Sequence, residues 1–341
     1  MTQTMRAWRY DAFDSIDSLS FNAVPIPVPQ RGELLLKVHA VSLNFRDVAV
    51  LLGRYVQNAK TGLVPASDAA AEVVAVGEDV TAYKPGDRVL GVFHPRWFGG
   101  PMPADWVGDS YGTGRDGWLC QFKAVSQEAV VRLPDSLSWE EGSTLPCAAA
   151  TAWFALAGST PVRAGHTVLT QGTGGVSIFA VQLARLLGAR IIATTSSAAK
   201  AERLRALGAD EIINYAEDPK WGEQVRALTG GRGVDRVVEV GGPATINQSL
   251  RAVARGGEVV LIGFLSEENP GIDYFHLKGT GASVRAISVG DRTNLEDCVR
   301  AVAMGGLKPV IDRVFAFEQA KEAFAHLRAA KHVGKVVIRV S

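Results

Sequence analysis

One run, from Thr167 to Thr195, constrains what this chain can fold into more than any other. Val168, Leu169 and Thr170 have strand character and lead into Gly172-Thr173-Gly174-Gly175-Val176. An apolar helical pattern follows over 175–187, and a second strand pattern covers Arg190–Thr195. A glycine turn between a strand and a helix brings backbone N–H groups and the positive end of the helix dipole to one point, where a pyrophosphate can bind. Gly172 and Gly174 fill the first two positions of G-x-G-x-x-G, and Ser177 stands at the third. The first glycine permits the tight turn, the second lets a phosphate approach, and the third serves helix–strand packing, where serine is a tolerable small substitute. Glycine turns also occur for packing alone. The flanking strands and helix give this one the context that a dinucleotide site needs.

The same rhythm extends onward. Thr167–Thr170, Arg190–Thr195, Glu211–Asn214, Val234–Val240 and Glu258–Ile262 read as strands, with helical patterns near 175–187, 198–207, 219–228 and 243–254 between them. Strands alternating with helices of this length imply right-handed crossovers and a parallel sheet. Ser138, followed by Trp139, Glu140 and Glu141, starts a helix with an N-cap and early acids. A further strand, Ala282–Val289, follows what reads as a polar loop at 265–281.

Residues 1 to about 135 follow a different pattern. Short runs such as Glu33–Ala40, Ala71–Gly77 and Asp87–Phe93 are broken by Pro25, Pro27, Pro29, Gly32 and Pro85-Gly86, which is a strand-rich, largely antiparallel pattern. His94–Gly117, with Trp97 and Trp106, has no period and reads as a long surface loop leading to Trp118. From Leu295 onward the pattern gives two amphipathic helices and a last strand, Gly334–Val340. With no helix after it, that strand is expected to return to the N-terminal domain. The expected domains are therefore 1–136 with 291–341, and 137–290.

Composition narrows the function class. With 36 basic and 35 acidic residues the net charge is +1, so no global field would hold nucleic acid or an anionic membrane. Cys120, Cys147 and Cys298 lie far apart without CxxC spacing, which argues against a disulfide framework or a cysteine-rich zinc site. Met1–Tyr10 lacks an apolar signal core, and nowhere do about 18 apolar residues run together. A cytoplasmic location is expected.

The second strand decides between dinucleotides. Sites selective for NAD commonly place Asp or Glu there, roughly 20 residues after the glycine turn, to bind the ribose 2′-OH. Here the stretch is Thr194-Thr195-Ser196-Ser197-Ala198-Ala199-Lys200. Hydroxyls and a lysine suit a 2′-phosphate, which favours NADP; the plainer alternative for Lys200 is a solvated helix residue.

These residues, with the N-terminal region, resemble the medium-chain dehydrogenase/reductase superfamily, specifically its zinc-free quinone-oxidoreductase-like branch. The markers are Val41–Asp47, Gly53-Arg54-Tyr55, Val73–Val80, Lys84–Val89, Leu145–Trp153, the glycine turn and Val333–Val337, which together span essentially the whole chain. The resemblance implies an α/β fold, a Rossmann-type doubly wound parallel sheet plus a discontinuous GroES-like β-rich catalytic domain, usually as a homodimer. Zinc members of the superfamily hold catalytic zinc with a Cys, a His and another Cys, with a Glu nearby. The matching places here hold Asn44, Ser67 and Cys147, with Asp68 where the Glu would be. An amide, a hydroxyl and one thiol make a poor zinc set, so no metal is expected and Cys147 reads as a small buried residue.

The resemblance also implies site residues. Asn44 would face the nicotinamide region, and Tyr55 would sit near the substrate as a proton donor; for Tyr55 the alternative is a packing aromatic, and for Arg46 and Asp47 a structural ion pair. Cofactor contacts would come from Thr151, from Gly172, Thr173, Gly174, Gly175 and Val176, and from Ser196, Ser197, Lys200 and Tyr215 around a 2′-phosphate. Gly241, Gly242, Ile262 and Gly263 would flank the nicotinamide ribose and ring, with Lys335 a further contact. Carboxyl ends of strands are where open α/β sheets bind ligands, so the positions at 241–242 and 262–263 make sense without the family as well.

Without a Lewis acid a plain ketone is a harder substrate, whereas a quinone or enone spreads the charge of an accepted hydride. The leading expectation is an NADPH-dependent reductase of a quinone, enone or other activated alkene acting on a small molecule. The rival is a zinc-free alcohol dehydrogenase or carbonyl reductase. A non-catalytic NADPH-binding protein is the reading from a different class. Strand 282–289 could pair with its copy to extend the sheet across a dimer.

Overall fold

The computed structural model describes residues 3–55, 60–104, 108–158, 160–265 and 271–341. They form two compact units, Met1–Ala150 with Gly290–Ser341, and Thr151–Val289.

In the first unit, β1 (Thr4–Tyr10) and β2 (Leu19–Pro25) form an antiparallel ribbon. The main sheet contains β3 (Glu33–Leu43), β4 (Asp68–Val76), β5 (Arg88–Gly91), β6 (Phe122–Ser126) and β7 (Val130–Arg132), joined from the chain end by β14 (Ile311–Ala316) and β15 (Lys335–Arg339). The order is β14-β15-β3-β4-β5-β7, with β6 also paired to β3. In β3, Leu34, Leu36, Val38 and Ala40 point inward in strict alternation, and burial becomes continuous over Ala40–Leu43, where β4 and β15 flank the strand. The last strand does return to the first unit: β15 lies antiparallel on β3 with Val336 opposite Leu43. That register fixes the site described below.

The segment after 136 also stays with this unit. The helix α2 (Trp139–Ser143) starts at Ser138, whose hydroxyl accepts from Glu141 N–H while the Glu141 carboxylate accepts from Ser138 N–H. Such a reciprocal cap is worth about 1 kcal/mol. Trp139 stacks on His39 of β3 at 4.2 Å between ring centroids, under the guanidinium of Arg88 at 4.3 Å. This packing carries the first boundary on to Ala150.

The second unit is a six-stranded parallel sheet of β8 (Thr167–Gln171), β9 (Arg190–Thr195), β10 (Glu211–Asn214), β11 (Val234–Glu239), β12 (Val253–Leu261) and β13 (Ser283–Ala286). The order β10-β9-β8-β11-β12-β13 is the doubly wound order whose switch point falls between the first and fourth strands of the unit, here β8 and β11. The crossovers are α4 (Gly175–Leu186), α5 (Ala198–Ala206), α6 (Trp221–Leu228) and α7 (Ile246–Ala252). Leu169, Ile192, Ile213, Val237 and Val259 meet Trp221, Val225 and Leu250 in one buried cluster beneath the sheet.

Three further expectations need correction. The polar loop at 265–281 contains a helix, α8 (Tyr274–Thr280), nucleated by Asp273, whose carboxylate accepts from His276 N–H. The tail carries β14, because Arg313–Ala316 pair parallel with Val336–Arg339. The loop at 94–117 is only partly a surface loop in its described part: Phe98 and Gly114–Asp116 are exposed, but His94, Trp97, Asp109 and Tyr111 are buried, and Trp118 beyond it is fully so. Trp106 lies outside the described residues. Among the described residues no helix is long and apolar enough to cross a membrane.

Candidate active site

The glycine turn closes β8. Gly172 takes a φ of +70°, which an L side chain rarely adopts, and its N–H donates to Thr194 O of β9 at 2.7 Å. Gly174 is the N-cap of α4 with an ordinary φ of −71°. A Cβ built at either glycine would meet nothing within 4 Å. The chain's own packing therefore does not explain the missing side chain at Gly174; the space it leaves is a cradle at a helix N-terminus, where the first N–H groups lack intrahelical partners. A dinucleotide pyrophosphate fits that donor set. Ser177 is buried, and its hydroxyl donates to Gln171 O at 2.6 Å, tying helix to strand as the third glycine of the motif would by contact. Thr173 is buried in the turn, and Gly175 and Val176 form the half-buried first turn of α4.

At the carboxyl end of β9 the structure gathers Ser196, Ser197, Lys200 and Tyr215. Tyr215 N–H donates to Thr195 O at 3.0 Å, which brings the end of β10 beside Ser196. Ser196 is exposed, and the Ser197 hydroxyl caps α5 by accepting from Lys200 N–H. Thr151, the first residue of this unit, is buried in the helix α3 (Ala150–Ala157).

A carboxylate that the sequence reading missed organises the far side of the switch point. Glu239 ends β11 fully buried, and five donors converge on it. Oε1 accepts from Gly241 N–H at 2.8 Å, Gly242 N–H at 3.0 Å and the Thr245 hydroxyl at 2.5 Å. Oε2 accepts from the Ser249 hydroxyl and from the Gln171 amide at 2.7 Å. Gln171 Oε1 in turn accepts from Val240 N–H and Gly241 N–H. This network holds the turn Gly241-Gly242 against the end of β12, where Ile262 N–H and Gly263 N–H both reach Glu239 O. Gly263 must be glycine for the chain's own reasons, since a Cβ there would lie 1.8 Å from Val240 O. The only signal in the sequence was an acid at the end of an apolar strand.

The other predicted residues meet in the first unit. Asn44 is the N-cap of α1 (Phe45–Leu51), and Asp47 accepts from its backbone N–H at 2.8 Å. The Asn44 amide is fully engaged: Oδ1 accepts from Lys335 Nζ at 2.5 Å, while Nδ2 donates to Asp68 Oδ2 at 3.0 Å and to Ser67 Oγ at 3.4 Å. Ser67 Oγ donates to Asp68 Oδ1 at 2.8 Å, and Cys147 N–H donates to Asp68 Oδ2 at 3.2 Å. Asp47, Ser67 and Asp68 are wholly buried and Lys335 is 3% exposed. Lys335 thus turns to Asn44 and to Leu43 O, 2.8 Å away.

Arg46 adds a second buried cation. It pairs with Asp47 at 3.3 Å and donates to Tyr111 O, Ser110 Oγ and Thr113 Oγ1. Its guanidinium also faces the rings of Tyr55 and Phe93, at 5.0 and 4.8 Å from the centroids. Burial, against the pull of Arg46, pushes the Asp47 carboxyl up to about 6. Burial likewise raises Asp68 against the charge of Lys335, and raises the Cys147 thiol far above the thiolate range.

Comparison with known proteins agrees with this architecture. The pattern of the alcohol dehydrogenase GroES-like domain matches residues 30–135, and that of the zinc-binding dehydrogenases matches residues 175–304. A zinc-type alcohol dehydrogenase-like protein of Schizosaccharomyces pombe is 38% identical over 98% of this chain and 99% of its own length. The chain belongs to the medium-chain dehydrogenase/reductase superfamily of alcohol dehydrogenase-like proteins. It is an oxidoreductase. Other superfamily relatives are a chloroplastic quinone oxidoreductase of Triphysaria versicolor (31% identical, 98% of each chain) and a 2-methylene-furan-3-one reductase of Solanum lycopersicum (30%, 98% of this chain and 79% of that one). The chain also matches a polyketide synthase of Streptomyces halstedii, 32% identical over 98% of its own length but spanning 6% of that protein.

Among solved structures, a putative alcohol dehydrogenase from Sinorhizobium meliloti 1021 superposes with a TM-score of 0.92 at 40% identity over the whole of both chains. An NAD-dependent alcohol dehydrogenase gives 0.90 at 32% identity over 99% of this chain and 100% of that one. A mycobacterial protein complexed with NADPH gives 0.83 at 28% identity over 98% and 100%.

Zinc, implied by the superfamily, does not fit the residues present. Among the described residues no group of three or more His, Cys, Asp or Glu side chains could hold a metal ion. The positions that resemble the zinc ligands offer an amide, a hydroxyl and a buried thiol held protonated, and the Asn44 oxygen already accepts from an ammonium.

Proposed function

We propose that this oxidoreductase is an NADPH-dependent reductase of a quinone, enone or other activated alkene, working without zinc. The observation that carries the reading is the cluster around Asn44, whose acceptor oxygens are occupied by a lysine ammonium and not left to a divalent ion. Bound NADPH would supply the hydride. The chain's own residues would hold it: the N–H groups at Gly174, Gly175 and Val176 on the pyrophosphate, and Ser196, Lys200 and Tyr215 on the 2′-phosphate. Gly241-Gly242 and Ile262-Gly263, braced by Glu239, would lie along the nicotinamide ribose and ring, with Thr151 at the cofactor. A small conjugated substrate needs little from the protein beyond orientation and a proton, because the charge it accepts is already delocalised.

Tyr55 is the proton donor in this reading, its ring set beside the Arg46 guanidinium. Asn44 moves from a catalytic to a positioning role, since both ends of its amide are engaged. Likeness to the 2-methylene-furan-3-one reductase and the quinone oxidoreductase supports the substrate class, and the NADPH-complexed neighbour supports the cofactor. The acid-free end of β9 supports it independently. Likeness to the alcohol dehydrogenases favours a second reading, a zinc-free alcohol dehydrogenase or carbonyl reductase. The outermost strand β13 would pair across a homodimer.

A panel of quinones, enones, enoyl thioesters and aldehydes, run with NADPH beside NADH, tests this. Turnover of a quinone or alkene acceptor with NADPH is expected. Turnover confined to aldehydes moves the assignment to the second reading, and NADPH binding without any turnover leaves a non-catalytic binding protein.

A further inference from the structure

Lys335 stands out among the buried groups. It was expected to touch the cofactor, yet its ammonium turns into the protein. The register of β15 on β3, with Val336 opposite Leu43, brings Lys335 to the carboxyl end of β3, where Asn44 begins α1. The register of β3 on β4, with Ser42 opposite Asp68, brings Asp68 to the same place. Three strands thus deliver one cation, one amide and one carboxylate to one point, with Lys335 3% exposed, Asp68 fully covered and Asn44 partly buried.

The charges balance. Lys335 and Arg46 face Asp47 and Asp68, two cations against two carboxylates, and a buried carboxylate without a counter-charge would be costly. Lys335 Nζ lies 3.9 Å from Asp68 Oδ2, too far for a hydrogen bond, so it acts on Asp68 as a point charge. Its hydrogen bonds go to Leu43 O and to Asn44 Oδ1, and the second settles which end of the amide faces which way. A divalent ion here would need Asn44 Oδ1 and an Asp68 oxygen as ligands and would have to displace a cation tethered to the backbone.

We infer that Lys335 is the chain's own resident cation at this position: its charge balances Asp68 and orients the Asn44 amide, so that the site needs no divalent metal ion and admits none. The inference rests on the zinc-free reading above and gives it a cause. Lys335 is a positioning residue, acting through the side chain of Asn44, the residue at which α1 begins, and hence on the segment that ends at Tyr55.

The test uses the full chain with Lys335→Gln, which keeps N–H donors and removes the charge, and Lys335→Ala, which opens room for a small ammonium ion. Three quantities are measured: zinc per chain after equilibration and dialysis, the thermal midpoint, and NADPH turnover with the best acceptor of the panel. The thermal midpoint and turnover are read in sodium, methylammonium and tetramethylammonium chloride at equal ionic strength. The wild type is expected to retain less than about 0.1 zinc per chain. Lys335→Gln is expected to lose at least about tenfold in kcat, with a midpoint lower by about 5 °C. In Lys335→Ala, methylammonium should recover several-fold of the lost kcat and part of the midpoint, while sodium and the bulkier tetramethylammonium recover neither.

A Lys335→Gln variant with wild-type midpoint and kcat overturns the inference, as does recovery that is the same in all three salts. Where Lys335→Ala does not fold, Lys335→Gln decides alone. Stoichiometric zinc in the active wild type sinks both this inference and the zinc-free reading. A wild type that binds no zinc and reduces no acceptor, while methylammonium still lifts the midpoint of Lys335→Ala, sinks the proposed function and leaves the resident cation standing.

Discussion

Glu239 at the end of β11 and Asp68 at the start of β4 are both fully buried carboxylates, and their surroundings differ in kind. Glu239 sits in a ring of neutral donors: two backbone N–H groups, two hydroxyls and an amide. Asp68 accepts from Asn44, Ser67 and Cys147 but also lies within 4 Å of a lysine ammonium, in a cluster that holds Arg46 and Asp47 as well. The first arrangement spends one charge on fixing a glycine turn, so the backbone there is shaped before any ligand arrives. The second sets charge against charge, so its geometry depends on which of its members are ionised. In one unit the protein preorganises backbone, and in the other it preorganises electrostatics.

The sharpest way to break this contrast is Glu239→Gln. The new amide would point N–H at groups that are themselves donors and leave several unpaired, a cost on the order of 4 kcal/mol. Chemical denaturation checks the loss. A loss under about 0.5 kcal/mol would mean the ring of donors is slack, and the contrast would fall.

Asp47, in the charged cluster, should make stability depend on pH. Burial, partly offset by Arg46, raises its carboxyl from 3.8 to about 6, so the folded protein holds this proton more tightly than the unfolded chain does. Its contribution to stability is complete below about pH 4, is lost as pH rises from about 4 to about 6, and is flat above. The span is on the order of 3 kcal/mol. Asp47→Asn keeps an oxygen for Asn44 N–H and should remove that slope. If wild type and variant run parallel from pH 4 to pH 7, charge does not govern this cluster.

Much of the second unit was legible in the sequence because its central strands β8, β9 and β11 are buried on both faces and read as apolar runs, with helical patterns between the strands. Arg190–Thr195 and Glu211–Asn214 came out residue for residue. The helix α8 escaped because Tyr274 and Phe275 are exposed, which leaves no apolar stripe to see, and only Asp273 marks its start. Burial within 94–117 escaped because Tyr111 and Ser110 pack around Arg46, a charge that no local pattern announces. At the site, Gly172 and Gly174 were visible through their spacing. Glu239 resembled a solvated strand end, and the bond between Lys335 and Asn44 spans 291 residues, so only the pairing of β15 with β3 reveals it.

The smallest effect concerns charge at the surface. Lys200 stands half-buried in the first turn of α5, next to the exposed Ser196. If it pairs with a 2′-phosphate, Lys200→Ala should lower the preference for NADPH over NADH by about tenfold, close to 1.4 kcal/mol. The turn at Gly172–Gly174 handles a pyrophosphate common to both cofactors, so NADH should bind the variant as it binds the wild type. Solvent reaches this lysine, so the preference should also shrink as salt is raised through about 0.15 M, where charges are screened within about 8 Å. Asp68 and Lys335, both buried, should show no such salt response. Equal loss for both cofactors would make Lys200 a solvated helix residue and leave Ser196 and Tyr215 to read the phosphate. A wild-type preference for NADH would undo the argument from the acid-free end of β9 altogether.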